Sequence, residues 1–267
     1  MNIKSASGVL CFVAAAVLSM SVQAEHIQFS QRPDMAAGTD TLSMHRTFGP
    51  VVADDFIVTK SEIVGFRWWG SYFDNAGQSR TLARDVTFEL SYHADCEVGA
   101  PLSAQCPGDP RGTTSPKPYG YSTPGQPYSF QILDAKESYF GTTARGEDVY
   151  EYFVMLPTSW AATPGAIAWL DVAWAAGQFG TDAQGAIWGW HESDEHNLDF
   201  AVQTDEAANR LLPLGGNPHL GPWDVLQGRD MAFQVITVPE PLMLALVALG
   251  LLGIGVTNAL VRRNRSL

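Results

Sequence analysis

The stretch VTFELSYH, residues 86–93, decides the fold class. Val86, Phe88, Leu90 and Tyr92 alternate with Thr87, Glu89, Ser91 and His93, so an extended chain carries an apolar row on one face and a polar row on the other. Tyr150, Tyr152, Val154 and Leu156 repeat that period of two. The run AIAWLDVAWA, residues 166–175, is apolar on both faces, as a central strand of a sandwich requires. Residues 51–58 and 63–73 read as early strands, and Met231, Phe233 and Val235 as a last one. Residues 25–50 read as a loosely packed lead-in, and residues 106–126 as a long polar connection. Neither a helical period nor βαβ spacing interrupts this pattern. The expected fold is all-β, an antiparallel β-sandwich of jelly-roll-like form in one domain.

The chain has 267 residues, 46% hydrophobic and 16% charged, which suits a globular protein and excludes a disordered one. Acidic residues outnumber basic ones 28 to 16, a formal charge of −12. A surface of that sign repels phosphate backbones, so no nucleic-acid partner is expected.

Both ends read as addresses. Lys4, the apolar run VLCFVAAAV at 9–17 and the short residues before Ala24 make residues 1–24 a secretory signal peptide. Cys11 lies inside the apolar run, where no lipidation site falls. At the other end Pro239, Glu240 and Pro241 precede LMLALVALGLLGIGVTNALV, residues 242–261. Those 20 uncharged residues are about the length a helix needs to cross ~30 Å of hydrocarbon. Arg262, Arg263 and Arg265 follow and stay cytoplasmic by the positive-inside rule, so the preceding chain faces outward. The two prolines stop the helix from continuing outward and keep the motif extended.

Pro-Glu-Pro, an apolar span and an Arg-rich tail, together residues 239–267, resemble the PEP-CTERM sorting signal. The resemblance implies recognition by exosortase in the inner membrane of Gram-negative bacteria, with the span as a transient anchor. It also implies an association with exopolysaccharide and biofilm.

The exported part, residues 25–238, has 214 residues, 27 acidic against 12 basic, and holds all 8 Trp and all 8 Tyr. Cys96 and Cys106, with 9 residues between them, read as a disulfide across a turn-rich loop in an oxidising compartment. No CxxC or Cys/His spacing supports zinc. VADDF (52–56), GFRWWGSYF (65–73), WGWHES (188–193), LDFAVQT (198–204) and DMAFQV (230–235) resemble landmarks of an uncharacterised extracellular β-sandwich domain found with PEP-CTERM tails. That resemblance implies fold and location, and no activity.

Chemistry is sparse. There is no Gly-x-Ser-x-Gly elbow, Walker A or dinucleotide loop. His191 and His196 form H-x4-H, one residue too long for HExxH, and read as a solvated loop after WGW. Glu89, Glu151 and Asp171 are carboxylates of the kind glycoside hydrolysis uses. Asp171 interrupts an apolar strand, and the plain reading places it near a sheet edge or against Arg or Trp. Asp54, Asp55 and Asp230 are the candidate calcium ligands if the first and last strands meet, calcium being the one structural cofactor considered. Trp68, Trp69, Trp188 and Trp190 are the candidate glycan-stacking rings. Trp68 and Trp69 point to opposite faces, Trp188 and Trp190 to the same one, and Trp in a sandwich also fills the core.

The expected function is that of a non-enzymatic, exported cell-surface or extracellular-matrix protein with no catalytic residues. Its ectodomain is periplasmic while the tail anchors it, then at the surface or extracellular after processing. The alternatives are a carbohydrate-binding module for exopolysaccharide and, behind it, a secreted hydrolase.

Overall fold

The computed structural model describes residues 26–44, 50–73, 86–97, 122–175, 187–204 and 223–238. Every regular element among them is a strand. The period-two segments become β3 (Val52–Ile57), β4 (Glu62–Phe73), β5 (Thr87–Glu97), β8 (Asp148–Ala161) and β9 (Ile167–Trp174). The last apolar run becomes β13 (Asp230–Met231) and β14 (Phe233–Thr237), interrupted at Ala232, whose N–H turns to the His191 carbonyl at 2.8 Å. Completing the set are β1 (His26–Gln31), β2 (Asp40–Leu42), β6 (Ser122–Asp134), β7 (Lys136–Thr142), β10 (Ile187–Ser193), β11 (Val202–Thr204) and β12 (Trp223–Val225).

Two expectations need correction. Residues 26–44 are not a loose lead-in: β1 lies against β14, β2 pairs β10, and Gln31 and Met44 are fully buried. Phe29 anchors β1, its ring 5.0 Å from Phe233 and 5.8 Å from Phe56. Residues 122–126 belong to β6 rather than to a connection. The prolines of β6 fall on the end strand of the sheet and opposite His93 and Asp95, where the ladder register shifts, positions that tolerate a missing N–H.

The strands form two antiparallel sheets. One has the path β1-β14-β4-β10-β13, with β8 on β4, β7 on β8 and β2 on β10; the other runs β12-β11-β3-β9-β5-β6. The single parallel pairing among the described residues is the isolated bridge between Met44 and Trp174. The inward rows of the two sheets share one core. Phe56, Phe88, Leu90, Leu170 and Val172 come from one sheet, and Phe66, Trp68, Tyr152, Trp188 and Phe233 from the other. Aromatic edges lock it: Phe88 lies 5.0 Å from Trp68, 4.9 Å from Tyr152 and 4.9 Å from Trp188, each at a steep angle. Each such ring withdraws roughly 150–250 Å² from water, worth on the order of 4–6 kcal/mol before entropy is counted.

The approach of β4 to β10 leaves no room for a side chain at Gly70. A Cβ there would collide with the Gly189 carbonyl and the Trp188 ring. Residues Ile27–Thr237 hold together as one unit. Among the described residues no helix is long and apolar enough to cross a membrane. The signal peptide 1–24, Pro239, Glu240, Pro241, the span 242–261, Arg262, Arg263 and Arg265 lie outside the described residues.

Candidate functional site

Adjacent residues on a strand face opposite ways, and the pair in VADDF shows the consequence. Asp54 shares its row with Val52 and Phe56 and points between the sheets; Asp55 shares its row with Ala53 and points outward. Both are fully buried. Asp54 Oδ1 accepts from its neighbour's N–H at 2.9 Å, and its Oδ2 accepts the Met231 N–H at 2.6 Å, tying β3 in one sheet to β13 in the other. Asp230 Oδ2 accepts the Asn197 N–H at 3.1 Å and faces His196 Nδ1 at 3.2 Å. Asp55 Oδ2 accepts the Asp199 N–H at 3.3 Å. The residues after β10 are thus suspended between two buried carboxylates. Between those anchors Leu198 takes φ +64°, the one positive φ outside glycine among the described residues.

This arrangement favours protons on the carboxyls. Burial, then the neighbouring Asp230 and Asp55 charges, raises the Asp54 pKa well above the carboxylate range. Burial raises Asp55 to about 8 against the pull of the Asp199 N–H. Asp230 is raised by burial, partly offset by the Asn197 N–H and His196. The calcium expectation put Asp54, Asp55 and Asp230 around one ion. The fold does bring Asp54 and Asp230 together, but it sends Asp55 to the other face of the sheet. Among the described residues no group of three or more His, Cys, Asp or Glu side chains could hold a metal ion. Both Asp54 oxygens are already occupied by backbone N–H donors, which present positive hydrogens where a cation would need open oxygens.

A second polar set lies on the outer face of the sheet holding β3, β9 and β5. Asp171 stands opposite Ala53 on one side and Ser91 on the other, in the middle of the sheet. Its Oδ1 accepts the Ser91 N–H at 3.1 Å and its Oδ2 meets His93 Nε2 at 2.7 Å, with both side chains fully buried. The expected edge position is therefore corrected: Asp171 sits between β3 and β5, and one of its partners is a histidine on the neighbouring strand. Trp169, in the same outward row, donates from Nε1 to Asp95 at 2.8 Å. Glu151 lies on the other sheet, 3.3 Å from Arg67. Glu151 and Asp171 therefore face outward on opposite sides of the molecule and do not flank one cleft, and Glu89 shares the Asp171 face.

A third set gathers at β10. His191 is not in a solvated loop but is a strand residue, fully buried, with Nδ1 3.0 Å from Asp40 Oδ1 and Nε2 3.1 Å from the Asp34 carbonyl. His196 is half-exposed and serves Asp230, so the two histidines address different carboxylates.

The four candidate stacking rings are all withdrawn from solvent. Trp68, Trp188 and Trp190 are fully buried in the shared core. Trp69, 3% exposed, lies on the outer face against Val149, Ala232, Met35 and Phe140. The strand alternation is as expected, but no indole offers a free face to a sugar. Cys96, the last residue but one of β5, stands opposite Thr123, while Cys106, and with it the expected disulfide, lies outside the described residues.

The pairs His93–Asp171 and His191–Asp40 were absent from the sequence reading. The acid interrupting an apolar strand was a signal for the first, but only the strand register supplies its partner.

No curated protein and no solved structure matches the chain. Residues 27–236, the interval the strands occupy, match one family throughout, and the chain belongs to that family, described as Domain of unknown function (DUF7901).

Proposed function

We propose that the chain is an exported, non-enzymatic cell-surface or extracellular-matrix protein, a jelly-roll-like sandwich domain sorted through its PEP-CTERM tail. One observation supports this most: the family domain at 27–236 fills the interval between residues 1–24 and Pro239 almost without remainder. β14 ends at Thr237, whose hydroxyl closes onto the Glu62 carbonyl at 2.6 Å. A cut within Pro239, Glu240 and Pro241 would leave every described strand intact. In this reading the span 242–261 is a transient inner-membrane anchor, Arg262, Arg263 and Arg265 hold the cytoplasmic side, and exosortase is the processing partner. The released domain joins the exopolysaccharide-rich surface or matrix.

Fractionation of an exosortase-bearing host tests the proposal. Wild-type protein should leave the inner membrane, and the Pro239→Ala/Glu240→Ala/Pro241→Ala variant should stay there. Equal partition of the two would defeat the sorting role.

A further inference from the structure

The geometry points to the His191–Asp40 pair as a proton-held latch that fastens residues 34–42 to β10 and releases them when the surroundings turn alkaline. Both ring nitrogens of His191 face oxygen: Asp40 Oδ1 at 3.0 Å and the Asp34 carbonyl at 3.1 Å. A neutral imidazole beside a carboxylate carries one proton for these two contacts, and the geometry needs two. Loss of one leaves a buried lone pair aimed at an oxygen.

The latch has something to hold. β2 has three residues, and its register sets Asp40 against His191 and Thr41 against Trp190. Residues 34–39 add the Asp34 N–H to the Glu192 carbonyl at 3.0 Å, the Glu192 N–H to the Thr39 carbonyl at 2.9 Å, and the Thr39 hydroxyl to Glu192 at 2.7 Å. The turn closes directly on the ring, since a Cβ at Gly38 would lie 3.0 Å from His191 Nε2. The same turn carries Met35 onto the Trp69 cluster. A short strand with few ladder bonds belongs to the low-stability end of a domain, where one lost proton can decide opening.

The charges around His191 favour keeping the proton. Asp40 faces it from β2, Asp34 from the turn and Glu147 from the β7–β8 connection, while Glu192, next to it on β10, turns to Thr39 on the other face and acts on Asp40 by its charge. Against these carboxylates stands Arg229, 2.8 Å from Glu192 and paired to it, with Arg145 near Glu147. Asp230 on β13 is turned away, toward Asn197 and His196. Burial pushes the imidazolium down, but the bond and charge of Asp40, the Asp34 carbonyl and Glu147 outweigh it, so the His191 pKa is raised above 6.5. Asp40 is itself raised by burial, partly offset by His191. A histidine with a raised folded pKa stabilises fully below 6.5 and loses that contribution as pH climbs through the folded value. The latch thus opens on the alkaline side.

The test is hydrogen exchange on the full-length protein at about pH 6 and about pH 9, corrected for intrinsic rates, with His191 followed by its ring resonances. Wild-type residues 34–42 should lose roughly tenfold more protection than β14, with the His191 midpoint above 6.5 and coincident with that loss. His191→Gln should show residues 34–42 open at both pH values while β14 stays protected. Equal protection of the two segments in wild type, or a His191 midpoint at or below 6.5, would overturn the latch. So would a pH-dependent loss that persists in His191→Gln. If that variant does not fold, the wild-type midpoint and its coincidence with opening decide alone.

Discussion

Asp55→Asn should make this protein more stable at alkaline pH, reversing the usual cost of changing a buried residue. Asp55 is fully buried on β3, its Oδ2 accepts a long bond of 3.3 Å from the Asp199 N–H, and its Oδ1 has no partner among the described residues. Burial raises its pKa from 3.8 to about 8. The folded state therefore binds more protons than the unfolded one across that interval, and stability falls as pH rises from 3.8 through about 8. At about 1.36 kcal/mol for each tenfold in proton affinity, the ceiling on that loss is about 6 kcal/mol. Relaxation and entering water take up part of it, leaving about 2–4 kcal/mol. Asparagine keeps an oxygen for the Asp199 N–H and cannot ionise, while its amide hydrogens, unpaired, cost about 1 kcal/mol. Urea unfolding at about pH 5 should find the variant equal to or slightly below wild type. At about pH 8.5 it should lie about 2 kcal/mol above. His191 titrates in both proteins and cancels in the comparison, being bonded to other partners. A variant no better than wild type at the higher pH, or a wild type equally stable at both, would show that Asp55 does not hold its proton in the folded domain.

Breaking the other buried pair should do the opposite. His93→Ala removes the 2.7 Å contact to Asp171 Oδ2, while the Ser91 N–H stays on Oδ1, and should cost about 1–3 kcal/mol in urea unfolding, with part regained in His93→Ala/Asp171→Asn. Gly70→Ala drives a methyl into the Gly189 carbonyl and the Trp188 ring, and should cost about 1–3 kcal/mol or more, read as a lowered Tm. Mature exported protein should show no alkylatable thiol by mass spectrometry, Cys96 and Cys106 being joined and Cys11 removed with residues 1–24.

Strands with a clean period were legible because alternation depends only on neighbours in the chain: Val86 to His93 gave β5, and the doubly apolar AIAWLDVAWA gave β9 between β3 and β5. The same alternation placed Trp68 and Trp69 on opposite faces. It could not show that Met35 and Phe140, from distant segments, cover Trp69. β6 was illegible because Pro124 and Pro127 mimic a loop, and they are tolerated on an end strand where the ladder register shifts. β1 and β2 were illegible because polar residues dominate them and tertiary contacts decide their order. Asp54 and Asp230 come together through β3 and β13, in opposite sheets, rather than through the first and last strands. The burial of both, and the divergence of Asp55, needed the sheet faces. His93 with Asp171, and His191 with Asp40, are set by registers between strands dozens of residues apart, which no local pattern encodes.

In the proposed reading the domain travels between two export signals and sheds both. Intact-mass measurement of the protein recovered from the surface or medium of an exosortase-bearing host tests it most directly. The recovered protein should begin at Glu25, end within or just before Pro239 to Pro241, and be two hydrogens lighter for the Cys96–Cys106 bond. A protein that keeps Arg262, Arg263, Arg265 and Leu267 and stays with the inner membrane would contradict it.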